Sequence, residues 1–268
     1  MKWVADQTGR FRLRPYYDRE ELDFECERIA SRFLERRYGV CCFPISTDDL
    51  TVMIEEDTSD LDLYADLSGL GEDVEGLTDF FPDRKPAVKI SADLTLDGWK
   101  EHRLRTTLAH EYGHVKFHTF LWELNRWENP ENAVICTGKY SRLYRKFNRT
   151  ILEINPRCKS GCIIEAPFED WMEWQASYAC GAFLMPLGPL KKMAEDFLKR
   201  FSDRYWLSTD TVEATELSGL VAESFDVSPA AAQARLKKLG FLQEISFESD
   251  HAFDDAEYPF SKSHSRIG

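Results

Sequence analysis

The sequence predicts an α+β fold: a small antiparallel sheet, a pair of helices bearing most of the reactive side chains, and further helices towards the C-terminus. Three observations predict it. Four short β-rich runs, at residues 50–56, 61–67, 74–81 and 86–94, lie close together and are separated by Gly, Pro and Asp. Two stretches, 104–118 and 170–186, repeat apolar residues at helical spacing. Residues 218–242 carry a Ser-Pro start signal and a terminal glycine around a third helical pattern.

The 268 residues, 43% of them apolar, supply ample core for one large domain with a small appendage. A net charge of −13 argues against broad nucleic-acid binding, which needs a basic surface. The chain has no run of eighteen apolar residues and no signal-peptide pattern in its first fifteen. Seven cysteines without paired spacing fit reduced thiols. A cytoplasmic protein with no membrane partner is therefore expected.

Residues 1–16 lack periodicity and are expected to form an extended arm. Asp18 and Glu21 have capping-box spacing, Leu22, Cys26, Ile29, Phe33 and Leu34 mark one helical face, and Gly39 is a stop. The adjacent Cys41 and Cys42 are expected to pack as small hydrophobes. The four strand-like runs follow, then the helix at 104–118. An insert, about 119–168, separates it from the helix at 170–186. Within the insert, Tyr140, Leu143, Tyr144, Phe147 and Ile151 recur at helical spacing with Lys139, Arg142, Arg145, Lys146 and Arg149 between them. This basic face reads either as a solvated surface or as a docking face for an acidic partner. Cys136, Cys158 and Cys162 lack an evident fourth ligand for a structural zinc site and read as thiols. Residues 206–245 form a C-terminal helical subdomain in which Ser228 caps, Pro229 starts and Gly240 ends the last helix. Its Arg235, Lys237 and Lys238 make a DNA-reading helix-turn-helix conceivable, but the acidic charge disfavours it. Residues 246–268 are expected to be a disordered tail.

The chemistry concentrates in "TLAHEYGHVKFH", residues 107–118. Residues four apart on a helix share a face, so His110 and His114 point the same way and can reach one zinc ion. Glu111 is rotated about 100° from His110. A carboxylate so placed flanks the metal and can take a proton from water there, which is the logic of the H-E-x-x-H motif. Gly113 is a poor helix residue, and close packing against another element explains it best. His118 continues the i, i+4 series, but one straight helix cannot wrap three imidazoles around one ion. It is read as a helix-end histidine facing the C-terminal dipole. Tyr112 points away into the core.

A third ligand must come from elsewhere. In "DWMEWQASYACGAFLMP", residues 170–186, Glu173 stands in an otherwise aromatic and small-residue helix. An unpaired carboxylate is costly to bury there, and a metal is a natural partner. Ala176, Ser177, Ala179 and Gly181 permit close approach of another helix.

Together, "RTTLAHEYGHVKFH" and "MEWQASYACGAFLMP" resemble the ImmA/IrrE family of metallopeptidases. The two motifs in this order are far more specific than either alone, and the resemblance covers about residues 17–245. It implies a zincin-like peptidase domain over 17–205, with His110, His114 and Glu173 as zinc ligands in gluzincin fashion and Glu111 as general base. Ser177 stands where the family often has Asn. The implied activity is zinc-dependent endoproteolysis of a specific intracellular protein, often a helix-turn-helix transcriptional repressor, in stress response or mobile-element control. The alternative is a zinc-stabilised regulatory protein that binds such a partner without cutting it. On the peptidase reading, residues 86–91 are the expected sheet edge for an extended substrate, and the basic insert helix is the expected source of specificity.

Overall fold

The computed structural model describes residues 1–8, 11–71, 74–81, 83–96, 100–128, 170–201 and 204–244. The N-terminal segment is extended as expected but paired with itself: β1 (Lys2–Ala5) and β2 (Leu13–Tyr16) form an antiparallel hairpin with Trp3 opposite Pro15. Helix α1 (Arg19–Tyr38) starts on the expected capping box. The Asp18 carboxylate accepts from the Glu21 N–H at 2.8 Å while Glu21 accepts from the Asp18 N–H at 3.2 Å. Gly39 ends the helix at φ 75°, a left-handed conformation that glycine adopts without strain. Leu22, Cys26, Ala30, Phe33 and Leu34 bury its inner face.

The first expected strand is instead helical. Residues 50–56 belong to α2 (Thr47–Asp57). Their β-branched content suggested a strand, but the residues that are buried, Leu50, Met53 and Ile54, sit at i, i+3, i+4. The Ser46 hydroxyl accepts from the Asp49 N–H at 3.0 Å, and acidic residues fill the first turn. Local capping and spacing override β propensity here.

The other three runs form a three-stranded sheet from β3 (Asp60–Ala65), β4 (Gly76–Asp79) and β5 (Ala87–Ser91), in the order β3-β5-β4. The sheet is mixed, not purely antiparallel: β5 runs parallel to β3 and antiparallel to β4. β5 is therefore the central strand, and the expectation that residues 86–91 form an edge is wrong. β4 is an edge.

A short helix α3 (Ala92–Thr95) leads to α4 (Glu101–Glu128), the helix of the H-E-x-x-H motif. It packs on α5 (Trp171–Leu184), twelve of whose fourteen residues are buried. Asp170 caps α5, its carboxylate accepting from the Met172 N–H. Gly113 sets the helix separation: a Cβ there would lie 3.1 Å from both Cα and the carbonyl oxygen of Ala176. Helices α6 (Leu187–Leu198), α7 (Val212–Phe225) and α8 (Pro229–Lys238) close the core, with β6 (Leu207–Ser208) and β7 (Leu242–Gln243) pairing beside them. Ser228 caps α8 and Pro229 is its first residue, as expected.

Arg235 is fully buried, not displayed on a DNA-reading face. Its guanidinium donates to Asp23, which also accepts from the Tyr178 hydroxyl at 2.8 Å. This ties α8 to α1 and α5. Arg105 makes a second buried tie, donating to the carbonyls of Ile45 at 2.9 Å, Asp226 at 2.9 Å and Phe225 at 3.3 Å. Cys41 is half-buried against the core, but Cys42 is exposed and does not pack. Most of the insert, with its basic helix and Cys136, Cys158 and Cys162, and the tail at 246–268 lie outside the described residues. No helix among the described residues is long and apolar enough to cross a membrane.

Candidate metal centre

His110 and His114 lie one turn apart on α4, and Glu173 faces them from the first turn of α5. Nε2 of His110 lies 3.1 Å from Nε2 of His114. The Glu173 carboxylate lies 3.1 Å from His110 Nε2 through Oε2 and 3.4 Å from His114 Nε2 through Oε1. Around a tetrahedral ion with bonds of 2.0–2.1 Å, neighbouring donors sit about 3.3–3.4 Å apart. The observed separations are close to that edge. Two imidazoles and a carboxylate, with no sulfur, form a donor set that suits zinc. Among the described residues, these three bring metal-type ligand atoms within 4.8 Å of one another. The Glu173 side chain keeps 19% exposure, and the His110 and His114 side chains keep 10% and 3%.

The electrostatics match the geometry. Burial alone would raise the Glu173 pKa, but the two imidazoles hold it well below the usual carboxylate range. Burial alone would lower that of His114, but the charge and hydrogen bond of Glu173, with further negative charge at Glu111 and Asp170, raise it. Without a metal, these groups stabilise one another as an ion pair.

Glu111 is buried beside this cluster and stands apart from its donors. The Thr78 hydroxyl, on β4, donates to Glu111 Oε2 at 2.6 Å. Two positions along the same strand, Gly76 leaves the room that Glu111 occupies: a Cβ there would come within 2.9 Å of Glu111 Cγ and 2.8 Å of Thr107 Cγ2. The edge strand therefore holds the carboxylate in place. Neither Thr78 nor Gly76 stands out in the sequence. A lone glycine inside a strand pattern, in "VEGLTDFF", is the available signal for such a close approach. The sequence matches no protein-family model, and no curated protein is significantly similar to it.

His118 is not at a helix end. α4 continues to Glu128, and His118 is wholly buried in its interior. It lies outside the donor triangle, as expected, but for a different reason: its Nδ1 is 3.0 Å from His114 Nδ1, and its Nε2 is 3.1 Å from Gln175 Oε1. Sequence reasoning misses Gln175 as well; its signal is an amide two residues after Glu173 on an apolar helix. His110 Nδ1 is buried and meets no hydrogen-bond partner among the described residues. Tyr112 points into the core, where its hydroxyl donates to Asp57 at 2.8 Å.

Proposed function

We propose that this chain is a cytoplasmic zinc endopeptidase of the zincin-like, gluzincin kind, cutting a specific protein. The substrate class implied by the resemblance to ImmA/IrrE peptidases is a helix-turn-helix repressor. One observation carries the reading: three metal-type donors converge at tetrahedral spacing, and a separate buried carboxylate is held beside them by a dedicated strand contact. A purely structural zinc site has no use for that carboxylate.

His110, His114 and Glu173 would hold the ion. Zinc bound there lowers the pKa of water and polarises a carbonyl oxygen. Glu111 does the proton work. Thr78 engages Oε2 and Oε1 lies against Gly76 on the same strand, and the carboxylate so held takes a proton from the attacking water. The water oxygen bonds to the peptide carbon, the C–N bond breaks, and Glu111 passes the proton to the departing nitrogen. β4 is an edge strand beside α4 and offers main-chain hydrogen bonds to an extended substrate. Substrate pairing there, together with the buried contact to Glu111, would set the peptide carbonyl and the base on one strand.

The test is co-incubation of the protein with candidate repressors, using wild type and Glu111→Gln. The wild type should cleave its partner. Glu111→Gln should keep zinc and a native melting curve yet lose cleavage by several orders of magnitude. A Glu111→Gln variant with full biological activity would point to the regulatory protein that binds without cutting.

A further inference from the structure

This inference rests on His110, His114 and Glu173 as metal ligands and concerns what prepares His114 for that role. An imidazole can bind a metal through Nε2 only when its proton sits on Nδ1. Ligand histidines are commonly held in the right tautomer by a partner on the other nitrogen. We propose that Gln175 and His118 form a directional relay, anchored on the carbonyl of Pro15, that fixes His114 in its metal-binding tautomer.

The polarity of each link follows from the one before. A backbone carbonyl only accepts, so the Gln175 group 3.0 Å from the Pro15 oxygen is its amide nitrogen. The Gln175 oxygen then faces His118 Nε2 at 3.1 Å. An amide oxygen also only accepts, so Nε2 of His118 carries the hydrogen. In its neutral form the ring has one N–H, and Nδ1 of His118 therefore presents a lone pair. Nδ1 of His114, 3.0 Å away, must donate to it. This leaves Nε2 of His114, which faces His110 and Glu173, as the nitrogen that releases its proton when a metal binds. Every donor meets an acceptor, and reversing any one link would set two donors or two acceptors against each other.

The surroundings hold the relay still. His118 is fully buried and Gln175 is 1% exposed. The Trp171 and His118 rings pack edge to face with centroids 5.5 Å apart, and the Trp171 indole N–H donates to Asp6 at 3.1 Å. Both anchors, Pro15 and Asp6, belong to the N-terminal hairpin segment, so this segment is part of the metal centre. α5 supplies a ligand, Glu173, and a relay member, Gln175, two residues apart. His118 and Gln175 are positioning residues: they act on the metal through His114.

The experiment uses the full chain. Ring ¹⁵N signals of the metal-free wild type, followed as pH is raised until His114 is neutral, report which nitrogen of each histidine is protonated. The relay predicts Nδ1–H for His114 and Nε2–H for His118. Zinc affinity is measured by chelator competition. His118→Phe, which keeps a ring against Trp171, and Gln175→Leu should each weaken zinc about 10- to 100-fold. A wild-type His118 protonated on Nδ1, or unchanged zinc affinity in His118→Phe, would overturn the relay. Should His118→Phe fail to fold, the wild-type ring signals decide alone. A wild type that takes up no zinc would instead remove the metal reading, with the tautomers still deciding the relay.

Discussion

Replacing Gly113 by Ala sets two effects of opposite sign against each other. In a helix interior, alanine is favoured over glycine by about 1 kcal/mol. Against this, the new methyl would lie 3.1 Å from Cα and the carbonyl oxygen of Ala176 and 3.3 Å from Ala179 Cβ. These are backbone atoms and a methyl, so no rotamer change relieves the crowding and the helices must separate. Overpacking of this kind costs roughly 1–3 kcal/mol. The balance is a net loss of up to about 2 kcal/mol, read as a fall of a few degrees in Tm. Parting α4 from α5 also draws Glu173 away from the two imidazoles, so zinc should bind more weakly. Melting curves with and without zinc measure both effects. Gly219 is the control: it lies inside α7, where an added methyl would meet no atom within 4 Å among the described residues, so Gly219→Ala should stabilise by about 1 kcal/mol. A Gly113→Ala protein that melts higher, like the control, and keeps full zinc affinity would refute close contact between these helices.

Three further outcomes are expected. Asp23→Ala leaves the buried Arg235 charge unpaired and should cost about 3–5 kcal/mol in denaturant unfolding; a change under about 1 kcal/mol would mean that α8 is not held by this pair. Thr78→Val removes the hydroxyl on Glu111 while keeping its shape. Hydrogen bonds to charged groups are worth about 1.5–3 kcal/mol, so cleavage should slow about tenfold or more with zinc content unchanged, whereas an unaffected rate would remove Thr78 from the positioning of the base. The pH response should differ between metal-free and loaded protein. The raised His114 pKa contributes stability to the metal-free form that is present below the unfolded value of about 6.5 and is lost as pH rises through the folded value. The depressed Glu173 pKa contributes stability that is present above about 4.3, its unfolded value, and is lost as pH falls through the folded value. Metal-free protein should therefore gain stability from mildly alkaline to mildly acidic pH, while zinc affinity falls over the same range because His114 must release its proton. Parallel trends in the two forms would argue that zinc and the proton do not compete for His114.

The helices were legible wherever capping and periodicity agreed. Asp18, Glu21 and Gly39 bounded α1 correctly, and Ser228 and Pro229 marked the start of α8. Residues 50–56 misled because their β-branched composition and their helical spacing pointed to different structures, and the Ser46 cap decides the outcome. Sheet order was not legible: short runs carry no record of which neighbour they pair with, so the central place of β5 emerged only from the topology. The convergence of His110, His114 and Glu173 was legible because the two histidines have a fixed spacing on one helix and Glu173 is an anomalous charge on an apolar one. Thr78, Gly76, Gln175 and Pro15 were not, because they reach the site through tertiary contacts between segments far apart in sequence. His118 illustrates the limit: spacing excluded it from the donor triangle, but its role depends on Gln175 across the helix pair.

X-ray absorption at the metal edge of purified protein tests the central claim most directly. The account predicts about one zinc per chain, bound only by nitrogen and oxygen at about 2.0–2.1 Å, with four donors of which one comes from outside the protein. Sulfur at about 2.3 Å, an iron edge with six light donors, or no stoichiometric metal would contradict it.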